Sequence, residues 1–77
     1  MTHRRPAKRS LTLRGHRTSV TLEDIFWHSF CRIAERDGKT INGLAADIDA
    51  GRGDIGLASA IRIYVLERCL SQSQFLE

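Results

Sequence analysis

The hydrophobic rhythm of this chain changes once, at Glu23, and that change limits what the chain can fold into. Before it, Val20 and Leu22 alternate with Ser19 and Thr21, the period of a strand with one buried side. After it, Phe26, Trp27, Phe30, Ile33 and Ala34 recur at intervals of three and four, the period of a helix with one buried side. Glu23 and Asp24 open that helix where acidic groups suit the positive end of its dipole, and Gly38 stops it. Thr40 is a suitable N-cap for a second helix running to about Ala50, with Ile41, Leu44, Ala45 and Ile48 facing inward. Gly51, Gly53 and Gly56 form a flexible connection to a third helix from about Leu57 to Leu70.

The third helix is apolar on more than one side, through Ala60, Ile61, Ile63, Tyr64, Val65, Leu66, Cys69 and Leu70. Such a helix has to be covered on more than one side. With 77 residues the chain holds one small domain whose own core is marginal, so a second subunit is the expected source of cover. The expected dimer core is Val20, Leu22, Phe26, Trp27, Phe30, Ile33, Leu44, Ile61 and Val65. Residues 1–9, with Pro6 and no periodicity, read as a basic flexible arm, residues 10–70 as the domain and residues 71–77 as a frayed tail.

Upstream of the first helix, Leu11 and Leu13 sit at odd positions and Val20 and Leu22 at even ones, so the apolar side changes parity across Gly15-His16. A hairpin with Gly15-His16 as a two-residue turn explains this, placing Leu13 opposite Thr18 and Leu11 opposite Val20. A bend or bulge at Gly15 explains it too, with the second strand pairing only with its copy in another chain. The parity shift by itself leans toward the hairpin.

Six of the twelve Lys and Arg residues (Arg4, Arg5, Lys8, Arg9, Arg14 and Arg17) precede the first acidic residue, Glu23, although the net charge is only +3. A basic block of this kind neutralises phosphates and releases their counterions. On the strand that follows, Arg17, Ser19 and Thr21 share one side, and all three hydrogen-bond base edges readily. The ordinary alternative is a solvated tail and a solvent-facing strand.

Other chemistries find little support. Cys31 and Cys69 lack CxxC spacing, and His3, His16 and His28 are scattered, so neither a disulfide framework nor a metal site is expected, and no cofactor. No nucleophile with its base is recognisable. Asp47 and Asp49 point to different sides of a helix, and Gly51-x-Gly53 lacks the strand and lysine of a phosphate cradle. A chain this short is poorly suited to enclosing a substrate pocket of about 300 Å³, so an enzyme is not expected. Trp27 and Phe30 share the apolar stripe and read as core, not as a stacking platform. No signal peptide or membrane span is recognisable, which gives a cytoplasmic expectation with reduced thiols.

A strand, a glycine-terminated helix and a Thr-capped second helix, from Val20-Thr21-Leu22 through Gly38 to Thr40–Leu44, resemble the ribbon-helix-helix DNA-binding proteins, the group of the Arc and methionine repressors. The combination Leu-Arg-Gly-His-Arg-Thr-Ser-Val at 13–20, an Ile-Asp-Ala second helix and an apolar third helix is similar to a bacterial subgroup of short ribbon-helix-helix domains. The resemblance implies a mainly α fold with one short β-strand per chain, in an intertwined homodimer with an additional C-terminal helix. It implies that the strands of two chains pair antiparallel and enter the major groove of double-stranded DNA. Arg17, Ser19 and Thr21 would then contact bases, while Thr40, Ile41 and Asn42 at the start of the second helix would hold a phosphate through backbone N–H groups. Arg4, Arg5, Lys8, Arg9, Arg14 and Lys39 would contact phosphates as well, Lys39 standing where the family usually has an apolar residue. With the resemblance, the two-chain ribbon is favoured over the hairpin.

The expected function is a homodimeric transcriptional regulator, a repressor reading a short palindromic operator. One rival is an antitoxin whose small protein partner engages the third helix. Another is a dimeric protein-interaction module without DNA binding, which a hairpin at Gly15 would favour.

Overall fold

The computed structural model describes residues 5–73. Strand β1 (Ala7–Leu13) and strand β2 (His16–Leu22) precede helices α1 (Asp24–Arg36), α2 (Ile41–Gly51) and α3 (Leu57–Ser73). The chain therefore carries two strands, not one, and they pair antiparallel with each other as a hairpin. β1 starts at Ala7, so Lys8 and Arg9 belong to a paired strand and not to an arm, and α3 continues through residues expected to fray. Arg4 lies outside the described residues.

The turn is one residue earlier than the sequence suggested. Arg14 (φ +51°) and Gly15 (φ +83°) are its central residues, and positive φ at both is the signature of a type I′ hairpin. Asn, Asp or Gly would be usual in Arg14's position, which is why the sequence drew the turn to Gly15-His16. The register follows: Leu13 opposes His16, Leu11 opposes Thr18 and Arg9 opposes Val20. Odd residues of β1 and even residues of β2 thus share one side, and the parity change is resolved within the chain. Leu11, Leu13, Val20 and Leu22 are buried there, while His16 and Thr18, nearer the turn, stay exposed.

That apolar side closes a core with Phe30, Ile33 and Ala34 of α1, Leu44 and Ala45 of α2, and Ile61 and Val65 of α3. Phe26 and Trp27 pack at its margin. Val20, Leu22, Phe30, Ile33, Leu44, Ile61 and Val65, expected in a dimer core, are thus in contact with one another within the chain.

Three arginines fasten the ends of α1. Arg9 of β1 pairs with Asp24 and lies 5.5 Å from the centre of the Trp27 ring. Arg62 of α3 donates from Nε to Glu23 at 2.9 Å and lies 5.9 Å from the centre of the Phe26 ring. Arg68 of α3 donates two bonds, of 2.7 and 3.0 Å, to Asp37 and a third, of 2.8 Å, to the Tyr64 hydroxyl. A half-exposed carboxylate–guanidinium pair contributes little alone. Here each guanidinium also lies over an aromatic ring, within cation–π reach. Arg62 and Arg68 hold Glu23 and Asp37 below the usual carboxylate range, in both cases chiefly through the hydrogen bond.

α1 ends as the sequence indicates. Gly38 (φ +69°) takes the left-handed position, its N–H bonds Glu35 O at 3.1 Å, and the Lys39 N–H bonds Ala34 O at 2.9 Å, the pair of bonds of a Schellman motif. The chain reverses there, and α2 runs back along the edge of β1.

Candidate nucleic-acid interface

Alternation turns Lys8, Ser10 and Thr12 of β1 and Arg17, Ser19 and Thr21 of β2 to the side away from the helices, and all six are exposed. Across the ribbon they oppose one another as Thr12–Arg17, Ser10–Ser19 and Lys8–Thr21. Among the described residues none of the six side chains is engaged in a hydrogen bond or ion pair. The three residues singled out in the sequence are thus brought together on one open surface. Ser10 and Thr12 were missed, because the upstream strand had no place in the one-strand pattern. Their even parity, opposite to Leu11 and Leu13, is the signal that would have found them.

The basic block divides in two. Arg9, expected on phosphate, points inward with Leu11 and Leu13; besides pairing with Asp24, its Nη2 donates to Leu22 O at 3.3 Å. Its charge is used in the fold. Arg5 and Arg14 are exposed at the base and the tip of the hairpin, beside Lys8 and Arg17. No acidic residue occurs from Arg5 to Leu22, whereas Glu23, Asp24, Asp37, Asp47 and Asp49 each carry an Arg or Lys partner. Of the described cations without an ion pair, Arg5, Lys8, Arg14 and Arg17 lie on or beside the hairpin, with no carboxylate among them, and Arg32 and Arg36 lie on α1 near Glu35 in sequence.

The start of α2 lies at the β1 edge. Thr40 caps it, its Oγ1 accepting the Gly43 N–H at 2.9 Å, and a Cβ at Gly43 would lie 2.9 Å from that oxygen. The Asn42 side chain has a task the sequence did not suggest: its Oδ1 accepts the Thr12 N–H at 2.9 Å, fastening α2 to the strand. At the opposite edge, Arg62 Nη2 donates to Thr21 O at 3.2 Å. Lys39 is turned away from the hairpin, toward the seam of α2 and α3, where its Nζ bonds Asp47 at 2.9 Å and that bond raises its pKa.

Two further surfaces stand apart. The α2–α3 seam holds a groove of about 310 Å³ lined by Lys39, Asp47, Ile63 and Tyr64, a volume the sequence gave no reason to expect, arising where two helices meet and not in an enclosed core. The outer side of α3 leaves Ile63, Leu66 and Leu70 about half exposed. Among the described residues no group of His, Cys, Asp and Glu is arranged to hold a metal ion, and no helix is long and apolar enough to cross a membrane. Burial raises the pKa of the Cys31 thiol.

The order of elements, with a hairpin, a Schellman-terminated helix and a capped second helix, is accompanied by a match of residues 6–69 to the family model of the ribbon-helix-helix domain. The chain belongs to the ribbon-helix-helix family. No curated protein and no solved structure matches it. In this ribbon-helix-helix chain β2 pairs with β1 of its own chain, and the matched segment takes in all but the last residues of α3.

Proposed function

We propose that the protein is a sequence-specific DNA-binding transcriptional regulator, a repressor, whose hairpin enters the major groove with Arg17, Ser19 and Thr21 toward the bases. The observation that carries this reading is the outer side of the hairpin, which is exposed, polar and free of carboxylates, while the carboxylates at both ends of α1 are held by arginines. Arg17 offers the planar fork that matches O6 and N7 of guanine, and the two hydroxyls add weaker, more tolerant contacts. Arg5, Lys8 and Arg14 supply phosphate contacts, and the backbone N–H groups of Ile41 and Asn42 at the capped start of α2 supply a further one. Two such chains, as a homodimer, would match a palindromic operator and block polymerase from a cytoplasmic gene.

The hairpin changes how the groove is entered. Pairing of β2 with its copy in a second chain would use the edge of β2 that β1 leaves free, making a four-stranded sheet with Arg17, Ser19 and Thr21 of both chains at its centre. The test is fluorescence anisotropy with genomic fragments across a salt series. Binding that weakens steeply with salt, and loses base preference in Arg17→Ala, supports the proposal; undetectable or salt-insensitive binding rejects it. A second reading, a protein-interaction module or antitoxin, is favoured by the hairpin itself, the outcome the sequence assigned to the module without DNA binding, and by the half-exposed Ile63 and Leu66 on α3. Co-purification of a small partner, lost in Leu66→Glu, would support it.

A further inference from the structure

The inner side of the hairpin runs on past the core. Leu11 faces Thr18 across the ladder and Leu13 faces His16, but the helices cover only the two leucines, and Thr18 and His16 stay exposed. Between this end of the hairpin and the junction of α2 with α3 lies a cleft of about 290 Å³. Arg14, His16 and Thr18 line it from the strands, over Leu13, and Asp49, Arg52 and Leu57 line it from the helices. Its volume is close to the lower end of small-molecule sites, about 300 Å³.

Most of the hydrogen-bonding capacity in the cleft is unspent. Among the described residues the side chains of Arg14, His16 and Thr18 have no hydrogen-bond or ion-pair partner. Arg52 uses Nε on Asp49 at 2.7 Å and Nη1 on Ile55 O, which leaves its Nη2. The one carboxylate lining the cleft, Asp49, thus has its charge matched by Arg52, and the charge of Arg14 is in excess. α3 begins beside the cleft without a side-chain cap, because Gly56, whose O accepts the Ala60 N–H at 2.9 Å, has no side chain to offer. Turn stability does not select an arginine at position 14, where φ is +51° and Asn would be more stable.

We propose that this cleft is a binding site for a phosphate group, gripped by Arg14, His16 and Thr18 from the strand side and by Arg52 Nη2 from the helix side. A tetrahedral phosphate presents oxygens in several directions and suits donors on two facing walls, whereas a carboxylate presents both oxygens on one side. Arg14 supplies the planar fork that takes two of those oxygens, and His16 and Thr18 supply one donor each. The same chemistry is carried by the backbone of a duplex lying along the hairpin and by a small phosphate monoester. The site does not depend on the DNA-binding reading above.

Titration of the full chain with inorganic phosphate at constant ionic strength, followed by NMR, tests the proposal. Saturable shifts are expected at Arg14, His16, Thr18 and Arg52, and weaker ones with acetate. Arg14→Asn is expected to bind phosphate about tenfold more weakly while melting no lower than the wild type, and Thr18→Val about threefold more weakly. Addition of a short duplex separates the two sources: displacement of the phosphate assigns the site to a DNA backbone phosphate, and its retention assigns it to a free phosphate monoester. If phosphate produces no saturable shift at these residues, or if Arg14→Asn binds it as the wild type does, the site is wrong, whatever the chain does with DNA. Saturable phosphate binding that Arg14→Asn weakens, in a chain that binds no DNA, leaves the site standing and rejects the DNA-binding reading alone.

Discussion

The two sides of the hairpin are built from the same few residue types and do opposite work. On the inner side a cation, Arg9, has its charge matched by Asp24 and lies over the Trp27 ring, among leucines that are nearly or wholly buried. On the outer side another cation, Arg17, stands in water with no partner among the described residues. Eight positions separate them within one basic block. A run of positive charge in a sequence is thus not one feature but two, sorted by strand parity into residues that hold the fold and residues left for a ligand.

The contrast is broken most directly at Leu22, which has no exposed surface. Leu22→Ala should cost about 2–5 kcal/mol in urea denaturation, against less than about 0.5 kcal/mol for Thr21→Ala on the other side. Equal losses would mean that the two sides are not distinct. Arg9→Ala comes next, with about 1–3 kcal/mol of stability lost because Asp24 and Leu22 O lose their donor. DNA affinity of the remaining folded fraction should fall only slightly, through repulsion by the bare Asp24, and a large uniform loss of affinity would return Arg9 to the phosphate role the sequence suggested. Arg17→Ala reverses this pattern, with unchanged melting and about 1–3 kcal/mol less discrimination at one base pair.

Smaller effects sharpen the picture. Arg14→Asn creates the Asn-Gly pair that type I′ turns prefer and should raise stability by about 0.5–1 kcal/mol, visible as a higher denaturation midpoint. A loss instead would mean that the turn is not of this type. Acid should act on the arginine-clamped ends of α1: Glu23 and Asp37 have pKa values lowered in the folded state, so their contribution is present above the unfolded values, 4.5 and 3.8, and is lost as pH falls through the lower folded ones. Asp37→Asn should flatten the decline of stability with acid pH, and an unchanged slope would separate Arg68 from it.

What was legible in the sequence was whatever a single local period encodes. The stripe from Phe26 to Ala34, the stop at Gly38 and the cap at Thr40 all depend on neighbours within one helical turn, and each is found in place. Leu11, Leu13, Val20 and Leu22 announced their shared side through parity alone. The turn position was not legible, because Arg14 adopts a positive φ that arginine rarely takes, and only the packing of both strands on the helices selects it. The roles of Asn42 and Lys39 were hidden for another reason. Their partners, Thr12 and Asp47, are thirty and eight residues away, and no local rule connects them. The second strand was not expected from size and composition, and it covers the side of the core that Leu11 and Leu13 close.

The pairing of Arg9 with Asp24 and of Arg62 with Glu23 has an electrostatic result that extends past α1. Both carboxylates sit where β2 hands over to the first helix, close to any polyanion lying along the ribbon. Left bare they would repel it; neutralised from within, they leave the hairpin's field positive from base to tip. On the proposed DNA-binding reading, the inward arginine would act as a shield and not as a contact.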